Sequence, residues 1–245
     1  MGFLNYTVAK KIGYEIVRRS KHPTLKSHIK NIINHYKINL ILDVGAHQGE
    51  FGKLLHREGH KGEIHSFEPV SQSFNKLSEA SHSDPNWFVY KNAIGDVREQ
   101  KKISISSASN LSSFLNLNDF GKDAFNGRMT KEEIVEVDTI DNFLNSHIKN
   151  INQKRIFLKM DTQGYDLNVF KGALKNIKHI ICMLSELAII PCYSEMPHYL
   201  DVLREYEKYG FIVSGMYPIG ICEDMSLVEM DCMLVNHQNI NKFES

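Results

Sequence analysis

An open α/β sheet of about seven strands, mostly parallel with an antiparallel last strand, is the fold class this sequence predicts. Three observations predict it. Short apolar runs of strand length alternate with segments of helical spacing, first from Leu40 to Tyr90 and again from Ile156 to Gly215. Two of those runs deliver an acid, Asp43 and Asp161, into a glycine-containing turn with a helix behind it. No helical segment separates Phe211–Gly215 from Met230–Val235, so the chain returns by a hairpin-like connection; a parallel neighbour needs a long crossover.

The elements follow in order. Residues 24–37 place Leu25, Ile29, Ile32, Ile33 and Tyr36 at helical intervals. Asn39 to Val44 is an apolar strand, Glu50 to Glu58 a helix with Phe51, Leu54 and Leu55 on one face, and Glu63 to Phe67 a second strand. Residues 71–80 form a helix in which Phe74 and Leu77 face the core, and Trp87 to Tyr90 a third strand rich in aromatic and β-branched residues. Lys102 to Ser106 alternates like a strand, Ser107 to Arg128 is polar and reads as a loop or insertion, and Glu133 to Thr139 is a further strand before a short helix at Ile140. The rhythm then resumes: strand Ile156 to Met160, helix Asp166 to Ala173 with Leu167 and Phe170 in the core, strand Ile180 to Leu184, helix Pro197 to Tyr209, strand Phe211 to Gly215 and last strand Met230 to Val235.

Bulk properties narrow the function. The 245 residues suit one α/β domain, and 42% hydrophobic with 24% charged residues is ordinary for a globular protein. Lys+Arg and Asp+Glu both total 29, and this balance argues against a dedicated nucleic-acid binder. No run approaches the roughly 18 apolar residues of a membrane span, so stable membrane insertion is not expected. Met1 to Ser20 carries Lys10, Lys11, Arg18 and Arg19 but no uninterrupted apolar stretch or cleavage site, and reads as an ordinary N-terminal helix. Cys182, Cys192, Cys222 and Cys232 form no C-x-x-C pair, and Cys182 and Cys232 read as buried thiols, which fits a reducing, cytoplasmic setting. Residues 1–38 are expected to be an N-terminal helical extension and residues 39–245 the functional domain.

The chemistry gathers at the ends of the strands. In Leu40-Ile-Leu-Asp-Val-Gly-Ala-His-Gln-Gly49, the glycines at 45, 49 and 52 read G-x-x-x-G-x-x-G, unlike the dinucleotide fingerprint G-x-G-x-x-G. Asp43, two residues before the first glycine, disfavours a pyrophosphate and favours a cationic ligand such as S-adenosylmethionine, either by direct contact or by ordering the loop. Glu68 ends the next strand, where an acid suits two ribose hydroxyls. His47 lies inside the loop, as either a ligand contact or a plain loop residue. Asp161 and, at the end of the following strand, Glu186 are placed to face each other beside the methyl donor, as ligands of a divalent cation or as a general base toward a hydroxyl. Tyr193, His198 and Tyr199 are candidate acceptor contacts; Ser109, Asn110, Ser112 and Ser113 read as a solvated loop.

Read in order, DVGAHQG at 43–49, SFEP at 66–69, NAIGD at 92–96, VDTIDNFL at 137–144 and LKMDTQGYDLNVFKGA at 158–173 resemble the FkbM family of S-adenosylmethionine-dependent methyltransferases. The resemblance runs from about Leu40 to Val235. It implies a Rossmann-like class I methyltransferase fold and O-methyl transfer to sugars of surface polysaccharides or to polyketide-type natural products, with a small-molecule or glycan acceptor and no nucleic acid. It implies that Asp43, Gly45, Ala46, Gly49 and Glu68 carry S-adenosylmethionine and that Asn92, Ala93 and Ile94 flank the adenine; His47 is a further cofactor candidate from its place in the loop alone. Asp161 and Glu186 are the expected catalytic pair and the expected ligands of a Mg²⁺ or Mn²⁺ ion. The sequence departs from the family pattern at His47, Gln163 and Tyr165, and the missing acid at 163 weakens a metal site that would include it. A nucleotide-dependent oxidoreductase and a catalytically silent partner-binding domain are the competing classes. The glycine spacing with Asp43 opposes the first, and retention of the acids opposes the second.

Overall fold

The computed structural model describes residues 22–106, 112–125 and 129–240, together with Lys11 and Gly13. The basic segment Met1–Ser20 and the pair Ser109–Asn110 lie outside the described residues, apart from Lys11 and Gly13.

Seven strands form one sheet: β1 (Leu40–Val44), β2 (Glu63–Phe67), β3 (Trp87–Tyr90), β7 (Ile156–Met160), β8 (Ile180–Ala188), β9 (Phe211–Ile221) and β10 (Leu227–Asn236), in the order β3-β2-β1-β7-β8-β10-β9. β3, β2, β1, β7 and β8 are mutually parallel, and β10 runs antiparallel to both β8 and β9. The chain order reverses between β1 and β7, the switch point where the carboxyl ends of two neighbouring strands diverge into a crevice. This is the doubly wound α/β architecture with an antiparallel final strand that the sequence predicts.

Both faces are covered. Leu40, Leu42 and Val44 of β1 point into a core shared with α5 (Ile140–His147), α6 (Asp166–Lys171) and α7 (Tyr199–Lys208). Ile41 points to the other face, where it packs with Phe157 and Met233 under α1 (Leu25–His35), α2 (Glu50–Arg57) and α3 (Ser71–Ser81). α1 starts where Thr24 accepts the Ser27 N–H, and its buried face, Ile29, Ile32 and Ile33, docks on the sheet. Leu77, Phe170, Cys182 and Cys232 are fully buried, as expected from their runs.

The middle of the chain differs from the sequence reading. β4 (Ala93–Ile94), β5 (Glu99–Ser106) and β6 (Met129–Asp138) form a second, three-stranded sheet in the order β4-β6-β5. β5 and β6 match the strands read at Lys102–Ser106 and Glu133–Thr139, but the two-residue β4 carries no periodicity and is invisible in sequence. Within the stretch read as a loop, α4 (Asp119–Phe125) forms, and the bridges Ser104↔Ser113 and Leu117↔Tyr193 tie that stretch to β5 and to the loop after β8.

Candidate active site

A cavity of about 520 Å³ opens along the carboxyl edge of the sheet, at the switch point. The Gly45–Gly49 turn forms one wall. Gly45 and Gly49 both hold left-handed backbone, at φ +74 and +84. A Cβ on Gly45 would collide with the backbone carbonyl oxygen of Asp161, and one on Gly49 would meet the Trp87 ring at 3.0 Å. The two strand-end turns are therefore packed on one another, and glycine is required for the contact.

Glu68 lies behind the first turn. It accepts the His47 backbone N–H at 2.9 Å and the Val70 backbone N–H at 2.8 Å, one on each oxygen. Each oxygen keeps acceptor capacity toward the cavity that Glu68 lines. Burial pushes its carboxyl up to about 7 against those two hydrogen bonds. Asn92, Ala93 and Ile94 also line the cavity, and so do Ser112 and Ser113.

Asp43 takes a different place from a ligand contact. It is fully buried, accepts a hydrogen bond from Ser66 Oγ at 2.9 Å, and sets Oδ1 3.2 Å from Lys159 Nζ. Lys159 Nζ also lies 3.3 Å from Asp161 Oδ2 and donates to the Gly45 carbonyl at 2.8 Å. With the Trp87 indole donating to Ser66 at 2.9 Å, a continuous polar row crosses β3, β2, β1 and β7 and ends at the cavity. Of the two roles open to Asp43 in sequence, ordering the loop is the one its position allows. Burial lowers the Lys159 ammonium, but Asp161 and Asp43 outweigh it and hold it above its ordinary value. Lys159 is a cavity-lining residue that the sequence does not single out, although a charge inside the apolar strand run Ile156–Met160 is a signal.

Asp161 and Glu186 both line the cavity, as expected. Between them stands the Gln163 amide, which donates to Asp161 Oδ1 at 3.3 Å and to Glu186 Oε1 at 3.2 Å and accepts from Tyr193 O–H at 2.9 Å. The metal site expected at Asp161 and Glu186 does not fit this arrangement, because a donor amide occupies the point where a cation would collect the oxygens. Among the described residues, no group of three His, Cys, Asp or Glu side chains is placed to hold a metal. Millimolar Mn²⁺ is expected to leave the melting temperature unchanged; a rise that saturates with concentration would restore the metal. Tyr193 is buried behind Gln163, and His198 caps α7, where its Nδ1 takes the Leu200 N–H. Neither they nor Tyr199 line the cavity.

Asp231, which the sequence reading passed over, completes the site. It pairs with Glu186 across β10 and β8, so both side chains rise from one face, and both line the cavity. Burial, then Asp161, pushes its carboxyl up to about 6, and burial with Asp161 raises Glu186 well above the carboxylate range. A raised acid favours the fold below its unfolded pKa of 3.8 and loses that contribution as pH rises through about 6. Asp231→Asn is therefore expected to stabilise the ligand-free protein by about 1–2 kcal/mol at pH 8 and hardly at all at pH 4. Urea unfolding at the two pH values measures the difference, and equal effects at both would contradict it.

Leu25 and Ile29 of α1, Phe51 and Leu54 of α2, and Leu184 of β8 contribute to the apolar lining of the cavity. α1 thus belongs to the site wall as well as to the core.

The fold and the cavity define an open α/β protein with a crevice at its carboxyl edge and an acid-lined inner end. The chain belongs to the FkbM methyltransferase family: it matches the Methyltransferase FkbM domain over residues 43–213. No curated protein matches it. Among solved structures it is similar to an O-methyltransferase from Bacillus cereus in complex with SAH, at 12% identity and TM-score 0.48, covering 95% of this chain and 88% of that one. It is similar to Aeropyrum pernix fibrillarin with natively bound S-adenosyl-L-methionine, at 10% identity and TM-score 0.45, covering 86% and 73%. It is also similar to an rRNA methylase from Streptococcus thermophilus, at 9% identity and TM-score 0.44, covering 88% and 98%.

Proposed function

We propose that this chain is an S-adenosylmethionine-dependent O-methyltransferase acting on a hydroxyl of a sugar, a polysaccharide precursor or a related natural product, within the cytoplasm. The functional domain is residues 39–245, with residues 1–38 as a helical extension whose second half supports the site. Family membership supports methyl transfer. The observation that carries the cofactor is Glu68, a carboxylate fixed by two backbone N–H groups with free lone pairs over the cavity, opposite a turn whose glycines admit close approach. In this reading Glu68 takes the ribose hydroxyls, Asn92 to Ile94 flank the adenine, and the Gly45–Gly49 turn with His47 takes the amino-acid end. S-adenosylmethionine, once bound, supplies an activated methyl group.

The acids at the inner end do the remaining work. A sugar hydroxyl is a weak nucleophile and must lose its proton during attack. Asp161 and Glu186 supply acceptor oxygens there, and Gln163 fixes the orientation of both. Leu25, Ile29, Phe51, Leu54 and Leu184 supply apolar wall to the same cavity. Glu68→Ala is expected to weaken S-adenosylmethionine binding by about 1–3 kcal/mol; calorimetry showing unchanged affinity in the folded variant would contradict the assignment. The acceptor class is tested by mass spectrometry of sugars, polyketide-type alcohols, protein and RNA incubated with enzyme and labelled S-adenosylmethionine. Label on hydroxyls supports the reading. Label on a protein or RNA nitrogen, with none on hydroxyls, overturns it.

A further inference from the structure

The acids around the cavity are engaged, with one exception among the described residues. Asp43 and Asp161 share Lys159, and Glu186 accepts from Gln163. Asp166, just beneath, accepts from Thr162, from Ser185 Oγ and from the Glu186 N–H. Glu229, two residues before Asp231, lies 3.7 Å from the Cys192 thiol. Asp231 faces the cavity with no side-chain hydrogen bond or ion pair of its own. Lys159 lines the same cavity, but its ammonium is already shared among two carboxylates and a carbonyl.

A half-buried carboxylate beside two other acids is costly unless something positive reaches it. The register that sets Asp231 opposite Glu186 puts the unmet charge on the same face as Lys159 and Asp43, at the inner end beyond the turn. A neutral ligand leaves the Asp161 and Asp231 carboxylates repelling one another. A cation placed between them relieves that repulsion and gains direct attraction, strengthened where Asp231 is half-buried. The methyl donor and the by-product of methyl transfer differ by this one charge, since the donor carries a sulfonium and the by-product a neutral thioether.

We propose that Asp231 is a specificity-determining residue that makes the site prefer the sulfonium of S-adenosylmethionine over the thioether of S-adenosylhomocysteine. This inference rests on the methyltransferase reading. It implies that the charge lost on transfer weakens the hold on the by-product, so that S-adenosylhomocysteine leaves readily and inhibits little.

The test is calorimetry of both ligands with the full chain, in three forms: wild type, Asp231→Asn and Asp231→Glu. Wild type is expected to bind S-adenosylmethionine the more tightly. Asp231→Asn is expected to lose about tenfold in affinity for S-adenosylmethionine and less than about threefold for S-adenosylhomocysteine, while Asp231→Glu, which keeps the charge, retains the preference. Asp231→Ser provides a second neutral variant if the Asn protein does not fold. Equal losses for the two ligands, or an unchanged ratio in the neutral variants, would overturn the proposal while leaving the methyltransferase reading in place. Failure of wild type to bind either ligand would overturn that reading together with it.

Discussion

Lys159→Met is expected to lower the unfolding free energy by about 3–5 kcal/mol, the range for removing one partner of a buried charge network. Lys159 and Asp43 are both buried, and the Asp43 carboxylate has Ser66 Oγ as its one hydrogen-bond donor. Without the ammonium, that carboxylate remains desolvated and unneutralised in the middle of the sheet. The loss also reaches the site, because the same ammonium holds the Gly45 carbonyl and Asp161. Denaturant unfolding measures the first effect. A double variant, Lys159→Met with Asp43→Asn, is expected to recover part of the stability by removing the stranded charge, but not the ordering of the turn. A loss under about 1 kcal/mol in the single variant would show that the network carries little energy.

Gly45→Ala is expected to cost about 2–5 kcal/mol, from left-handed backbone at a non-glycine residue and from overpacking against the Asp161 backbone. Both terms apply because the residue sits at φ +74 and its added Cβ meets a carbonyl oxygen that cannot rotate away. Gly59 is the control: it has φ +85 but nothing within 4 Å of an added Cβ, so Gly59→Ala reports the backbone strain alone. Thermal unfolding is expected to show a drop of roughly 5–15 °C for Gly45→Ala and a clearly smaller one for Gly59→Ala. Equal drops would mean that the two turns are not packed as described. Because the moving partner is Asp161, Gly45→Ala is also expected to weaken ligand binding beyond its effect on the fold.

The sheet was legible because its signal is local. Apolar runs such as Ile156–Met160 and the helical spacing of residues 24–37 declare themselves within one window, and acids at strand ends point to the carboxyl edge. The positions of Glu68, Asp161 and Glu186 at one cavity followed from that alone. What depends on register did not. Asp231 joins the site because β10 slots between β8 and β9 with Asp231 opposite Glu186, a pairing of residues far apart in sequence. The strand-end place of Asp43 is readable and leaves both ligand contact and loop ordering open, whereas the Lys159 ammonium that claims it comes from the neighbouring strand. The metal expectation failed for a similar reason. In sequence Gln163 is a missing acid, but its bridging of two carboxylates is a property of the folded turn. β5 and β6 read as strands, but their assembly into a second sheet escaped because β4 has only two residues and its partner β6 borders a polar stretch.

The most direct test of the central claim is a crystal structure of the protein with S-adenosylhomocysteine. The account predicts the ribose hydroxyls within hydrogen-bond distance of Glu68, the amino-acid end against the Gly45–Gly49 turn, and the sulfur turned toward Asp161 and Asp231. A nucleoside bound away from Glu68, or a ligand whose sulfur points out of the acid-lined end of the cavity, would contradict it.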